Sequence, residues 1–594
     1  MPSTNPFVVS GVFRSASFAV TCAVLLGACA QFPVDRAQPE PAKAATVEPE
    51  KAVRREAPAH VEPLPNQDLT PQILYQLLLA EIAGQRGNMG LSASAYLDLA
   101  KKTRDPRIAR RAAEVAHYSR QNDAALEAVR LWLEFDPESS QARYMLIGLL
   151  AQANRFDELQ PQVAAILEQE RDDRGEALLR LGRVFNRNTD RAAVLATIDR
   201  MTDPYLDLPE ARMLRAQAAQ SAGSADRAMT EIDAALVLKP DWDQALLFKA
   251  QLQQKDSPAA AMETIRQYLV KYPQAKDVRL QYARSLVGEK RYKDARVEFQ
   301  KLLTDFPDNQ EVIFAVGALS YQLNDYTLAE SNFRKLIDGE FADSSSVRLY
   351  LGQIAENQKR PDDAIGWYAS VPPGEQYVSA QIRLANVLGQ QGKLEEARSH
   401  LQPSIASNSR ERVQLTLAEA QLLREAGRTQ DAYDLLNKSV ASQPNQPDLL
   451  YESALVAEKL GRSEVLETNL RKLIQIKPDH AHAYNALGYS FAERNERLDE
   501  AQSLVAMALQ LAPEDPFILD SMGWVLYRKG DLQGALEYLN RAYTLRADPE
   551  IAAHLGEVLW MIGRRDDATK TWREAAKANP GNEVLSAVIK RFLP

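Results

Sequence analysis

Cysteine is nearly absent: the chain of 594 residues has 2, Cys22 and Cys29. Both fall within the first 29 residues, so the remainder has no thiol for a disulfide or a cysteine-ligated zinc, and any metal there would need histidine and carboxylates. Histidine is scarce as well, with 6 in the chain. His480-Ala481-His482 forms a close pair at a helix start with no third ligand nearby, and because a catalytic zinc needs three, it reads as surface histidine. Basic charge is in deficit. Lys and Arg number 71 against 80 Asp and Glu, a net charge of -9, and no basic cluster reverses this locally. Such a chain is a poor polyanion binder, so nucleic acid is not an expected partner. Also missing are a nucleophile elbow, a phosphate loop and a His-Glu-x-x-His helix. The glycine-rich stretch Gly84 to Gly90 follows a helical pattern, Ile73 to Ile82, and no strand, which makes it a turn between helices. No pair of acids stands out as a catalytic dyad. The chain is therefore read as no enzyme, with no cofactor, metal or small-molecule substrate expected.

Long apolar runs are lacking too, and this shapes the reading of the amino terminus. Phe18 to Leu26 is apolar but falls short of the ~20 residues that a membrane helix needs. The only charges upstream of it are Arg14 and the terminal amine, and small residues, Gly27-Ala28, precede Cys29. That order is a bacterial secretory signal over 1–28. The segment Leu26-Gly27-Ala28-Cys29 resembles a lipoprotein box, which implies that Cys29 is acylated and becomes the first residue; the alternative is an ordinary cleaved signal. Removal of 1–28 takes away Arg14 and no acid, moving the net charge from -9 to -10. Ala30, where inner-membrane lipoproteins of that pattern carry Asp, points to the outer membrane. Prolines at 33, 39, 41, 49, 58, 63 and 65, mixed charges and sparse apolar residues make 29–67 a disordered tether. Fully extended, it would reach on the order of 100 Å.

Past Thr70 the pattern is helical and it repeats. Small residues recur at Ala228, Ala261, Ala295, Ala329, Ala364, Ala397, Ala432, Ala501, Ala535 and Ala568, with Leu466 in the one gap, in steps of 33 to 35 residues. Pro137, Pro240, Pro273, Pro307, Pro444, Pro478 and Pro513 follow twelve residues after their Ala or Leu and end the second helix of each unit. Gly317, Gly352, Gly488, Gly523 and Gly556 occupy the matching place on first helices, where two helices can approach within ~8 to 10 Å only over small side chains. This wording resembles the tetratricopeptide repeat. The resemblance implies an all-α superhelical solenoid of stacked hairpins, each burying its apolar face on the next. Ala125, Leu159 and Ala193 carry the spacing backwards, but Ala95 lies only 30 residues before Ala125, so 68–205 reads as degenerate capping repeats ahead of an array over 206–580. Residues 581–594, with Glu583 to Leu593 helical, read as a terminal cap.

In that family the first helices line a groove, and counting from the contact glycines assigns its positions. They are Tyr451, Asn485, Tyr489, Asp520, Trp524, Tyr527, Arg528, Glu557 and Trp560, with Glu458, Ala492 and Ala553, and, in the middle repeats, Phe314, Tyr321, Gln353, Glu356, Ile382, Asn386, Gln421 and Arg424. Large aromatics beside polar groups suit protein binding, although Trp524 and Trp560 at these spacings can equally pack on the next repeat. The paired basic and Asn residues of the family's carboxylate clamp are not found. The whole plan resembles the lipid-anchored outer-membrane adaptors of periplasmic carboxy-terminal processing proteases, which bind the protease and its cell-wall hydrolase substrates and promote their degradation. The alternative is a non-proteolytic scaffold for exopolysaccharide export or outer-membrane assembly.

Overall fold

A computed structural model describes residue 65, residues 67–185 and residues 190–593. The signal, Cys29 and almost all of the tether lie outside the described residues. Within them every regular element is a helix, 31 in all, apart from three short 3-10 turns. They fall into two compact units, which divide after Phe306. The first holds seven helical hairpins, from Pro71–Gln85 with Met89–Thr103 to Lys276–Gly288 with Tyr292–Asp305. The second holds eight, from Gln310–Gln322 with Tyr326–Asp338 to Pro549–Ile562 with Arg565–Ala578, and then the single helix Glu583–Phe592. Each unit is thus a stack of hairpins of the tetratricopeptide kind, as the period implies.

Local chemistry sets where each helix starts and stops. Proline at the first helical position gives up an amide that would have no partner there, and Pro447, Pro516 and Pro549 all stand at that place. Asp515 caps one start by accepting the Phe517 and Ile518 amides at 2.9 and 3.2 Å. Each second helix that precedes a repeat-ending proline stops two residues short of it, as at Leu511 before Pro513. Between the two helices of most of the hairpins the chain turns through a left-handed residue, Gly530 (φ 89°) and Gly563 (φ 94°) being examples. Glycine takes that conformation without a Cβ clash, and the turn satisfies the last carbonyls of the first helix.

The small positions meet as the spacing requires. Gly488 and Gly523 lie directly on the second helix, where an added Cβ would stand 2.9 Å from the Ala501 carbonyl and 3.1 Å from the Ala535 carbonyl. The alanine series from 228 to 568 and Leu466 are all buried. Replacing Ala535 by Trp would force an indole into this contact, and we expect a loss of ~1 to 3 kcal/mol. A melting curve superimposable on that of the wild type would refute this placement.

Two positions need correction. Ala193 is only half-buried and its neighbour Val194 takes the core place; in the first hairpin the place belongs to Ser92, not Ala95. Ser92 donates to the Ala80 carbonyl at 2.7 Å, which satisfies its hydroxyl against the first helix. The series 92, 125, 159, 194, 228 keeps steps of 33 to 35, so the early hairpins hold the same register as the later ones. The terminal helix covers the last hairpin, burying Leu585 and setting Phe592 5.4 Å from Trp572.

Candidate protein-binding surface

Four consecutive first helices of the second unit, Pro447–Lys459, Ala481–Glu493, Pro516–Arg528 and Pro549–Ile562, turn one polar and aromatic face inward. Lys459 and Glu550, three hairpins apart, each feel the other's field. At the centre His554 Nδ1 stands 3.0 Å from both carboxylate oxygens of Asp520, one repeat earlier. Asp520 is 4% exposed and His554 8%, so this is a buried pair. Burial opposes charging of the imidazole, but the Asp520 charge and hydrogen bond, helped by Glu493 and Glu557, outweigh it and hold the His554 pKa above its ordinary value. The Trp524 ring stacks on His554 at 4.2 Å and 23°, and its indole N–H donates to Glu493 Oε2 at 3.0 Å. Arg528 donates to the Glu493 carbonyl at 3.3 Å. Tyr527 donates to Glu557 at 3.0 Å, and burial followed by that carboxylate pushes its phenol up to about 12. Each of these contacts joins one repeat to the next.

Tyr489 lies deeper still. Burial raises its phenol well above the ordinary value, and the carboxylates of Glu493, Asp520, Glu458 and Glu550 add to the shift. Those four acids come from four different helices. Burial also raises two of them: Glu458, which accepts from Ser490, and Glu550 both stand at about 7. Further out, the Tyr451 and His480 rings lie 5.3 Å apart, tilted by 41°, while Arg424 and Glu452 pair at 2.9 Å. In the middle hairpins Glu356 accepts from Tyr368 at 2.7 Å and from Arg383 at 3.0 Å.

Of the positions assigned by counting, Tyr489, Asp520, Trp524, Tyr527, Arg528 and Glu557 come together in this network, with Asn485 one turn before Tyr489. Four others do not line a groove. Ala492 and Ala553 are fully buried, and Phe314 sits in an aromatic cluster with Phe333, Phe341 and Tyr350. Trp560 stacks on Trp572 at 5.9 Å and meets Phe592 at 5.7 Å, so it packs the terminal cap. Counting missed Glu493, Glu550 and His554. A histidine one repeat after an acid at a groove position was the available signal for the last.

Comparison with known proteins agrees with this architecture. The tetratricopeptide-repeat description matches residues 314–376, 382–447 and 521–583, and again residues 277–309. The chain is 32% identical over 519 residues to TPR repeat-containing protein PA4667 of Pseudomonas aeruginosa, covering 87% of this chain and 88% of that one. The chain belongs to the tetratricopeptide-repeat family. It is also 24% identical over 288 residues to cellulose synthase operon protein C of Pseudomonas fluorescens, a stretch of 45% of this chain and 22% of that protein. Among solved structures, a tetratricopeptide protein of Thermus thermophilus aligns at 24% identity with a TM-score of 0.28, over 30% of this chain and 99% of that one.

Proposed function

We propose that the protein is a lipid-anchored scaffold on the periplasmic face of the outer membrane, holding a carboxy-terminal processing protease together with its cell-wall hydrolase substrates so that they are degraded. The observation that supports the scaffold role is the inner face of the second unit, where aromatic rings and carboxylates from four successive hairpins line one curved surface. The adaptor role is drawn from the resemblance of the signal, tether and repeats to that group of lipoproteins. Holding both partners on one chain would raise their effective concentration without any catalytic group of its own. Crosslinked capture from envelopes tests the reading: the protease and wall hydrolases should elute together, and their absence while other partners elute would refute it.

A second reading, a scaffold for exopolysaccharide export, draws on the likeness to cellulose synthase operon protein C. Capture of export-machine subunits would favour it. The anchor has its own test. Cys29→Ala is expected to move the protein from the membrane fraction to the soluble one with unchanged helical content, and retention in membranes would sink the lipid attachment.

A further inference from the structure

The first hairpin of the described residues begins its stack with an uncovered apolar face. Pro71–Gln85 carries large apolar residues on every side, Ile73, Leu74, Leu77, Leu78, Leu79 and Ile82 among them, and a helix of that kind is ordinarily covered on every side. Its buried Ala80 and Ala83 lie on the side of Met89–Thr103, but Leu74, Tyr75, Leu78 and Ile82 form a stripe at helical spacing on the opposite side and are 41 to 66% exposed. One repeat later the equivalents of Tyr75 and Ile82 are Ile108 and Val115, half-buried and buried, while those of Leu74 and Leu78 are Arg107 and Arg111, which stay exposed. Apolar side chains thus stand both where a preceding hairpin would give cover and where the next repeat carries arginine. The outermost repeat of a solenoid ordinarily turns a polar face to water, and an apolar one marks a contact surface.

We propose that this face pairs with the same face of a second copy of the chain, first helix against first helix, antiparallel about a two-fold axis. The inference goes beyond the scaffold reading and holds with or without the lipid anchor. Charge selects the occupant. The chain has a net charge of -9 and repels itself over most of its surface, yet this helix has one charged residue, Glu81, which accepts from the Tyr96 hydroxyl of its own hairpin. No lysine or arginine lies within the helix to hold an anionic lipid surface or an acidic partner. Just beyond its two ends stand Asp68 and Arg86, both exposed, so antiparallel pairing brings an acid of one copy toward the arginine of the other at each end. The chain's own segment 29–64 is a poor cover, because Phe32 is its one aromatic and its few other large apolar residues are scattered among prolines and charges. With Leu69 just ahead of the helix, the stripe leaves on the order of 500 Å² uncovered, so two copies would bury about 1,000 Å², where specific, reversible interfaces begin. Growth stops at two. The last hairpin is closed by Glu583–Phe592, whose exposed residues include Glu583, Ser586, Lys590 and Arg591, so a head-to-tail chain finds no apolar acceptor there.

The test uses the full chain. Leu78 is the midpoint of Pro71–Gln85, so the two-fold sets the Leu78 side chains of both copies together, and a thiol placed there has no other cysteine among the described residues to meet. On mild oxidation of envelopes, Leu78→Cys is expected to give a disulfide-linked species of twice the chain's mass. Ser586→Cys, exposed on the terminal helix, should give none, and the parent chain reports any link through Cys22 or Cys29. Sedimentation of the purified chain should show monomer and dimer in exchange. Leu78→Glu should weaken the dimer at least about tenfold and, since Leu78 is exposed in a single copy, melt no lower than the wild type under dilute conditions where both are monomers. A chain that stays monomeric at every concentration, with Leu78→Cys unlinked, would overturn the proposal, whether segment 29–64 then covers the face or nothing does. Equal linking at Ser586→Cys, a link to a different protein, or a thiol shielded from a water-soluble maleimide only while lipid vesicles are present would overturn it as well.

Discussion

Trp572→Ala is expected to lower the stability of the last hairpin by about 3 to 5 kcal/mol, the cost of emptying a wholly buried indole site. The Trp572 side chain has no exposed surface, stacks on Trp560 at 5.9 Å and Phe592 at 5.4 Å, and donates its N–H to the Ala553 carbonyl at 3.3 Å. It occupies the place vacated by the missing Cβ of Gly556, where an added methyl would overlap the indole. That geometry makes a second, sharper expectation. Gly556→Ala alone should destabilise the protein, while in the Trp572→Ala background it should stabilise by up to about 1 kcal/mol, because glycine inside a helix is worse than alanine by that amount. Hydrogen exchange across 549–592, read beside denaturant unfolding of the full chain, measures both. The same sign of effect for Gly556→Ala in the two backgrounds would show that the indole and the glycine are not a coupled pair.

The period, the contact glycines and the proline stops were legible in the sequence because each is a hard steric requirement. A helix crossing over Ala501 or Ala535 admits only glycine, and a proline closes a helix whatever surrounds it. The register slipped at 95 and 193 because alanine was followed there instead of the position itself. Ser92 fits the same contact by bonding its hydroxyl to a carbonyl, and Val194 fits it by packing, so neither is the alanine that marks most of the other repeats. The groove was only partly legible. Period alone says that residues three and four apart share a face, but whether Ala553 or its neighbour His554 points inward depends on how far successive hairpins rotate. Phe314 and Trp560 illustrate the other limit: aromatic rings at groove spacing were drawn into clusters by Phe341, Tyr350 and Phe592, which lie outside the counted pattern.

Asp520→Ala is expected to cost about 3 kcal/mol at pH 6, because removing one partner of a buried pair strands the other charge. The variant is informative through its pH dependence. The folded-state pKa of His554 lies above its ordinary value near 6.5, so the stability it contributes is fully present below that value and is lost as pH rises through the folded pKa. In the variant, burial without the Asp520 charge acts to lower the His554 pKa, so the dependence reverses sign and the variant gains stability as pH rises through the ordinary histidine range. The stability gap between wild type and variant should therefore be widest at pH 6 and narrow toward pH 9. The carboxylates of Glu493, Glu557 and Glu550 also face the pair in both proteins, so taking the difference removes most of their contribution. Burial raises Glu550 to about 7, so it too makes the wild type less stable as pH rises from the ordinary carboxyl range toward 7. Repeating the comparison with Glu550→Gln in both proteins isolates the histidine. A gap that stays flat or widens with rising pH would show that His554 is neutral in the folded protein and that its link to Asp520 is an ordinary hydrogen bond. A gap that narrows places a proton, and with it a positive charge, at the centre of the inner face.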